Sequence, residues 1–146
     1  MAETWKNAEK TGLESSLKMR AVEWRRGPVV ARISKPSRLD RAHALGFRAK
    51  QGFIVARVRV RRGGLRKIRP KGGRRQKKMG VLKFTPALSL KIIAERRTAK
   101  RFPNLKILNS YWLWKDGKYE WYEVIALDPH HDSVRNDPKV SVLARG

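Results

Sequence analysis

The pattern of apolar positions predicts a helix near the start of the chain. Four apolar side chains in residues 13–26 recur at i, i+4, i+8 and i+11 and therefore share one helical face: Leu13, Leu17, Ala21 and Trp24. Arg25 and Arg26 close this stretch, and a Gly-Pro pair follows directly. Cations in the last turn and a following glycine and proline are typical of a helix end. We therefore predict that this helix ends at about Arg26.

Start and stop signals predict two further helices. Ser37 and Asp40 have the spacing of a capping box, and residues 39–45 carry a short apolar stripe. Thr85 and Pro86 are typical of the N-cap and first position of another helix, which should end before a second proline at position 103.

The clearest strand lies in residues 52–62, where the side chains alternate strictly. One face carries only apolar residues: Ile54, Ala56, Val58 and Val60. The other face begins with two apolar residues and continues with Arg57, Arg59 and Arg61. This alternation predicts one face on a core and a row of guanidinium groups about 7 Å apart on the other. Phosphates along a nucleic-acid strand repeat on a similar length scale.

The last third of the chain predicts a β-hairpin followed by a turn-rich tail. Residues 105–114 and 118–127 alternate well and flank an Asp-Gly pair, which is a strong hairpin signal. Residues 130–146 are rich in turn residues, and we predict at most one short strand there, at 140–143. With the helices above, this indicates an α+β fold.

The hairpin is rich in aromatic residues, which have two interpretations. Exposed rings could stack RNA bases, but residues 107–146 have a net charge of −1, which does not suit a groove that follows phosphates. We therefore predict that Trp24, Trp112 and Trp121 are core residues. One ring of the set Tyr111, Trp114 and Tyr119 is expected to be exposed.

Charge is distributed very unevenly along the chain. The 146 residues, about one domain in length, include 36 Lys and Arg against 12 Asp and Glu, for a net charge of +24. Residues 1–106 carry a net +25, and no acidic residue occurs between Arg41 and Ala94. So much unpaired positive charge would repel itself in an isolated compact state, so we expect a polyanionic partner.

The most basic segment is residues 61–80, here called the basic arm. It contains two Gly-Gly pairs and one proline and has almost no apolar side chains. Such a segment buries too little surface to offset its ordering entropy. We expect an extended loop that is disordered alone and ordered by its partner. The spacing of a Walker-type phosphate loop is missing.

The composition offers little for catalysis, metal binding or membrane insertion. Without cysteine there is no disulfide framework, cysteine-ligated zinc site or thiol nucleophile. The cluster Asp128, His130, His131 and Asp132 lacks metal-ligand spacing, and His43 has no free carboxylate partner in the sequence. We expect no enzyme activity, metal, cofactor or small-molecule substrate. With no membrane-length apolar run or secretory signal, we expect an intracellular protein without membrane contact.

Nucleic acid is the polyanion that this pattern fits best. Lys and Arg gain affinity by releasing phosphate counterions, and Arg adds bidentate contacts and base stacking. No recognition helix or zinc finger is evident, whereas extended basic segments suit irregular folded RNA. A non-specific nucleic-acid or chromatin architectural protein is the alternative, because both functions depend on phosphate contacts.

Four segments of the sequence resemble the archaeal and eukaryotic "fifteen-e" family of large-subunit ribosomal proteins, and the archaeal branch in particular. They lie in order within residues 17–143: the tryptophan–proline segment 24–28, KPSRLDRAHALGFRAKQGFIVARVRVRRGG at 35–64, FPNLKILNSYW at 102–112 and YEVIALDPHH at 122–131.

The resemblance implies a non-enzymatic structural protein of the cytoplasmic ribosome. Its partners would be large-subunit rRNA and neighbouring ribosomal proteins. It also implies a three-layer body, in which a small, mainly antiparallel sheet has helices on its faces, with the basic arm as part of one rRNA-binding domain over residues 1–146. The expected RNA-binding residues are Arg25, Arg26, Arg32, Lys35, Arg38, Arg41, Arg48, Lys50, Arg57, Arg59, Arg61, Arg62, Arg66, Lys67, Arg69, Lys71, Arg74, Arg75, Lys77 and Lys78.

Two departures from the family pattern affect these expectations. Family members usually continue in a basic, glycine-rich C-terminal extension, whereas the sequence ends at Gly146. Either the contacts of that extension are lost, or this lineage dispenses with it, or the sequence is a shortened form. Residues 1–12 match the family pattern poorly, and no role is assigned to them.

Overall fold

One antiparallel sheet forms the centre of the computed structural model, which describes residues 2–7, 10–64, 67–80 and 86–145. The described residues form four strands in the order β1-β2-β4-β3. These strands are β1 (Val30–Ile33), β2 (Phe53–Arg61), β3 (Lys106–Lys115) and β4 (Tyr119–Leu127). The two central strands, β2 and β4, pair along their whole length, from Phe53 opposite Leu127 to Arg61 opposite Tyr119.

Six helices accompany the sheet within the described residues. They are α1 (Ala2–Lys6), α2 (Leu13–Arg26), α3 (Leu39–Ala44), α4 (Leu90–Arg101), α5 (Asp132–Arg135) and α6 (Pro138–Arg145). The predicted α+β class is confirmed. The predicted helix at 13–26 is confirmed with its buried stripe, and strand β1 is an element that the sequence analysis did not predict.

The first face of the sheet is covered by α2 and α3. Leu17, Ala21 and Trp24 of α2 pack on Leu113 and Trp121. Ala42 of α3 belongs to a neighbouring cluster on the same face with four other buried residues: Phe47, Val55, Tyr111 and Ile125. Apolar burial of this kind stabilises the packed state by about 25 cal/mol for each Å² removed from water.

The opposite face of the sheet is covered by α4. Ala94 is fully buried against Val58 and Val60 of β2 and Tyr122 and Val124 of β4. Period-two alternation within each strand sends successive side chains to these two faces, so both faces of β2 and β4 are packed. This arrangement of helix, sheet and helix agrees with the expected three-layer body.

The predicted hairpin is confirmed, and its turn is held by an aspartate side chain. Oδ1 of Asp116 accepts hydrogen bonds from the backbone N–H groups of Lys118 (2.7 Å) and Tyr119 (2.6 Å). Such local side-chain to backbone bonds are the reason that aspartate favours turns. The β3–β4 ladder also contains two register shifts, at Ile107/Asn109 and Trp112/Trp114.

Two predicted helix starts need correction. α3 begins at Leu39 rather than Ser37, because the Ser37 hydroxyl donates to the buried carboxylate of Glu123 and does not cap the helix. α4 begins at Leu90, where the Ser89 hydroxyl accepts from the N–H of the third following residue. Pro86 precedes this helix, and the expected cap Thr85 lies outside the described residues.

The expected strand at 140–143 is wrong, because this part of the chain belongs to α6. Asp137 Oδ1 accepts from the backbone N–H of Lys139 at 3.0 Å, and Pro138 occupies the first helical position, where its missing N–H costs nothing. Val140 is buried against Leu127 and Val134, so tertiary packing as well as capping favours the helix.

Gly52 provides the close approach that docks α5 beside β2. Its φ of +89° lies in the left-handed region, which favours glycine. A Cβ atom there would lie 2.5 Å from Cγ2 of Val134. The Gly52 carbonyl also accepts from the N–H of Asp128 at 2.8 Å. A side chain at this position would therefore separate the strand end from α5.

The aromatic predictions are confirmed in part. Trp24 and Trp121 are buried, with ring centroids 5.7 Å apart in an edge-to-face arrangement. Trp112 is wrong as a core residue, because it is 38% exposed on the edge strand β3, where no strand covers its outer flank. The expected exposed ring is also wrong: Tyr111 is buried, and Trp114 and Tyr119 are partly buried.

Candidate nucleic-acid interface

The basic arm lies at the surface wherever it is described. In residues 61–64 and 67–80, every residue except the half-buried Gln76 is exposed. Strand β2 ends at Arg61, and the described residues after it in the arm form no helix or strand. The arm contains no acidic residue. Its described cations therefore lie in water, where a phosphate can reach them: Arg61, Arg62, Lys67, Arg69, Lys71, Arg74, Arg75, Lys77 and Lys78. Arg66 lies outside the described residues.

The arm folds back on itself through side-chain to backbone bonds. Arg69 Nε donates to the carbonyl of Met79 at 2.6 Å, which closes a loop between the two positions. Gln76 donates to the carbonyl of Pro70 inside that loop. At its base, an Nη atom of Arg62 donates to the Asp116 carbonyl at 2.8 Å, which ties the arm to the hairpin turn. The bonds use few of the arm's charged donors.

Arg57 lies between α2 and the sheet and is only partly open to solvent. Its guanidinium carbon lies 4.4 Å from the ring centroid of Trp24, in a cation–π contact. Burial lowers its pKa, and the nearby Glu123 and Glu23 carboxylates oppose that effect. Within the described residues it has no hydrogen-bond acceptor, so the donors of this guanidinium remain available.

Arg59 acts inside the protein. An Nη atom donates to the carbonyl of Arg25, next to a longer contact of 3.4 Å with the carbonyl of Trp24. These carbonyls belong to the last turn of α2, where a cation is favourable for the helix dipole. Its guanidinium also lies 4.9 Å from the ring centroid of Tyr119. Arg59 therefore fastens α2 to the sheet.

The expected open row of three guanidinium groups on β2 is wrong in its geometry. Only Arg61 is fully exposed, because α2 covers the face at Arg57 and Arg59. Alternation along one strand predicts that three side chains share a face, but it does not predict which other elements pack on that face. Of the three arginines, Arg61 is exposed, Arg59 holds α2 to the sheet, and Arg57 lies half-buried against Trp24.

Four expected RNA-binding residues form ion pairs, one of them in the arm, where Arg62 Nε lies 3.8 Å from Glu120 Oε1. Arg25 Nε lies 3.1 Å from Asp116 Oδ2, and Lys50 Nζ lies 2.9 Å from Asp137 Oδ2. Arg38 lies 3.5 Å from a carboxylate oxygen of Asp40 and 4.6 Å from the Trp5 ring centroid. Arg25 and Lys50 are exposed, and exposed pairs contribute at most about 1 kcal/mol, so phosphates can compete for these two cations. Arg38 and Asp40 are both half-buried.

The remaining expected residues outside the arm are exposed and have no ion pair within the described part of the chain. They lie between the end of α2 and the loop after α3: Arg26, Arg32, Lys35, Arg41 and Arg48. These five residues and the arm are together called the basic surface.

Sequence reasoning missed a group of exposed cations on α4. Arg96, Lys100 and Arg101 are exposed on the helix that covers the opposite face of the sheet from α2. Arg97 differs, because its Nη donates to the carbonyl of Arg59 at 2.7 Å. The signal was present as a run of cations, but cations at a helix end are also explained by the helix dipole.

A buried carboxylate organises the first face beneath this surface. Glu123 is fully buried and accepts from Oγ (2.6 Å) and N (3.0 Å) of Ser37 and from the Tyr111 hydroxyl. Burial, with the carboxylate of Glu123 beside the phenol, raises the pKa of Tyr111 above its ordinary value. A buried carboxylate needs such partners, because an unpaired buried charge is very costly.

No metal-binding cluster of three or more His, Cys, Asp or Glu residues occurs among the residues that the structure describes. In the same residues, no helix has both the length and the apolar character needed to cross a membrane.

These features are those of a small, basic α+β protein whose surface carries many exposed Lys and Arg side chains. The family model described as Ribosomal L15, for the L15e family, matches residues 1–146. The chain belongs to this family of ribosomal proteins. It is a structural protein of the large ribosomal subunit, not an enzyme, and is part of the cytoplasmic ribosome. The match includes residues 1–12, which corrects the expectation that they depart from the family.

Proposed function

We propose that the protein binds large-subunit rRNA through the basic surface and that the basic arm becomes ordered on the RNA. The observation that supports this most directly is the exposure of the arm's described cations on a segment without a carboxylate. Bonds within the protein use few of these cations, so most of the arm's charge is left for a partner. Membership of the L15e family favours rRNA as the polyanion.

The mechanism is phosphate neutralisation. Each Lys or Arg that contacts a phosphate releases condensed counterions, which supplies affinity without selecting a sequence. The two Gly-Gly pairs leave the arm backbone without side chains at four positions, so it can approach an RNA backbone closely. The loop between Arg69 and Met79 rearranges at little cost, because it is held by exposed hydrogen bonds.

The finer assignments are part of the same proposal. The RNA-binding residues are the set named in the sequence analysis, of which Arg59 contributes by holding α2 in place. Residues 1–146 act as one rRNA-binding domain, with other ribosomal proteins as neighbours. The motifs at 35–64 favour the archaeal branch of the family.

Sedimentation of a cell extract on a sucrose gradient tests this function at low salt and at about 0.5 M salt. We expect the protein to remain in the large-subunit peak at both concentrations. Exposed phosphate contacts alone lose about 10³–10⁵ in affinity over a smaller range of salt. Release to the top of the gradient, or migration with DNA, would contradict the proposal and favour a general nucleic-acid architectural protein.

A further inference from the structure

A cavity of about 370 Å³ lies between α2 and the centre of the sheet, within the size range of small-ligand sites. The cavity has both charged and aromatic walls, and the elements that line it come from both halves of the sequence. Its lining includes Arg20, Glu23, Trp24, Ser37, Arg57 and Trp121.

The inner wall of the cavity presents hydrogen-bond donors that nothing in the described structure satisfies. Arg57 lies over Trp24 and has no hydrogen-bond acceptor among the described residues. A guanidinium carries five N–H donors in a fixed planar fork. Because no described residue uses these donors, a ligand with two adjacent acceptors would fit this wall.

The rim of the cavity adds a carboxylate and a second guanidinium. Arg20 and Glu23 are three residues apart on α2, so they lie on the same side of the helix, and both are exposed. Neither forms an ion pair with a described residue. Glu23 and Arg57 line the same cavity, so one ligand can face both the carboxylate and that guanidinium. The cavity therefore offers a donor fork and a carboxylate to one ligand.

We propose that this cavity binds one unstacked guanine of the RNA, an inference that rests on the rRNA binding proposed above. Guanine has two adjacent acceptors, O6 and N7, which match the fork of Arg57. It also has two adjacent donors, N1–H and N2–H, which match the two oxygens of Glu23. Adenine, cytosine and uracil do not combine these two features. None of them has one edge with two adjacent acceptors and a neighbouring edge with two adjacent donors. Single-stranded RNA regions can supply such splayed bases.

A titration of the full-length protein with mononucleotides tests the ligand class directly. The probes are GMP, AMP, CMP, UMP and inorganic phosphate, and the readout is the NMR signals of the indole N–H groups of Trp24 and Trp121. We expect GMP to shift these signals at concentrations about tenfold lower than the other nucleotides. Equal shifts with all four nucleotides, or with phosphate alone, would overturn the proposal.

Variants at the two matched groups test the assignment of roles. Glu23→Gln should weaken GMP binding about tenfold and abolish the preference for guanine, and Arg57→Gln should weaken it by a similar factor. The controls are Glu14→Gln on the same helix and Arg135→Gln on α5, both outside the cavity, which should leave the titration unchanged. An unchanged GMP titration in Glu23→Gln would overturn the role of the carboxylate and with it the proposal.

Kethoxal probing of the complex with large-subunit rRNA separates this inference from the proposed function. Kethoxal modifies N1 and N2 of unpaired guanines, the two atoms that Glu23 would cover. We expect one guanine that is protected by the wild-type protein and becomes reactive again with Glu23→Gln, while the protection of other rRNA positions is retained. Tight rRNA binding without such a guanine would overturn the cavity proposal alone. Absence of rRNA binding would instead contradict the proposed function.

Discussion

Ser37 and Glu123 lie 86 residues apart in the sequence and are joined by two hydrogen bonds, from Oγ at 2.6 Å and from N at 3.0 Å. The carboxylate is fully buried in β4, and the serine precedes α3. The basic loop before α3, with Arg38 in it, is therefore positioned by a buried acid from the nearly neutral end of the chain.

Removing the serine hydroxyl should destabilise the protein. We expect Ser37→Ala to lower the free energy of unfolding by about 1–3 kcal/mol, because the hydroxyl donates to a buried charged group. Urea denaturation measures the difference. Ser15→Ala is the matched control, because the Ser15 hydroxyl donates to a backbone carbonyl at an exposed site and should cost less than about 0.5 kcal/mol. Similar losses in both variants would contradict the role of the Glu123 contact.

Tyr111 should make stability depend on alkaline pH. Because burial and the Glu123 carboxylate raise its pKa, the unfolded chain loses the phenol proton first as the pH rises above 10. The stabilising contribution is complete below pH 10 and falls by up to about 1.4 kcal/mol for each pH unit above it. Denaturant unfolding between pH 8 and 12 measures the slope. Tyr111→Phe should be less stable at pH 8 but show a shallower decline; parallel curves for the two proteins would refute this prediction.

The arginines of β2 should respond differently to substitution. Arg59→Ala removes the donor to the last turn of α2 and should lower the free energy of unfolding by about 1–3 kcal/mol. Arg61→Ala removes an exposed cation and should change stability by less than about 0.5 kcal/mol. It should instead reduce the steepness with which log K for RNA binding falls with log salt concentration. The slope should decrease in magnitude by about 0.7–0.9 for each lost phosphate contact. Thermal denaturation measures the stability of the two variants, and filter binding over a salt series measures their RNA binding. The prediction is wrong if Arg61→Ala is less stable than Arg59→Ala.

Replacing residues 67–79 by a neutral Gly-Ser linker should separate binding from folding. The buried clusters contain none of the arm's described residues, so stability should change by less than about 1 kcal/mol. RNA affinity should fall. The slope of log K against log salt concentration should become shallower by the amount that several lost phosphate contacts would cause. In the free wild-type protein, trypsin should cut the arm before the body. Resistance of the arm to trypsin without RNA would show that it is already ordered.

Asp137 provides a test of the contact between α6 and the loop after α3. The hydrogen bond from Lys50 is the main cause that holds the pKa of this carboxyl below its ordinary value. Lys50→Met should therefore raise the pKa of Asp137 toward that of a free aspartate, as measured by NMR titration of its side-chain carbonyl carbon. Lys139→Met is the control, because only its backbone N–H bonds this carboxyl. An unshifted Asp137 in Lys50→Met would mean that the pair does not persist in solution.

Local signals in the sequence were sufficient for some elements. The apolar stripe of α2 and the Asp116 turn of the hairpin depend on residues close together in the sequence, and both were predicted at nearly their observed positions. The exposed basic arm was also predictable, because a segment with so few apolar side chains has little to bury. These features need no knowledge of what packs against them.

The remainder depends on contacts between distant residues. Ser37 has the sequence signal of a cap, but a buried carboxylate from β4 takes its hydroxyl. Arg57 and Arg59 alternate as an exposed row would, but α2 packs over them. The cavity between α2 and the sheet was not predictable, because its walls come from segments about 100 residues apart.

The strand order has a consequence for how the chain is made on a translating ribosome. Synthesis of β2 is complete at Arg61, but β4, with which it pairs along its whole length, is complete only at Leu127. During that interval the nascent chain exposes its most basic segment, while the carboxylates that later bond Ser37, Arg25 and Lys50 do not yet exist. Early synthesis therefore produces a polycation without a finished sheet, whose unpaired strand edge is open to misassembly until the last strand arrives.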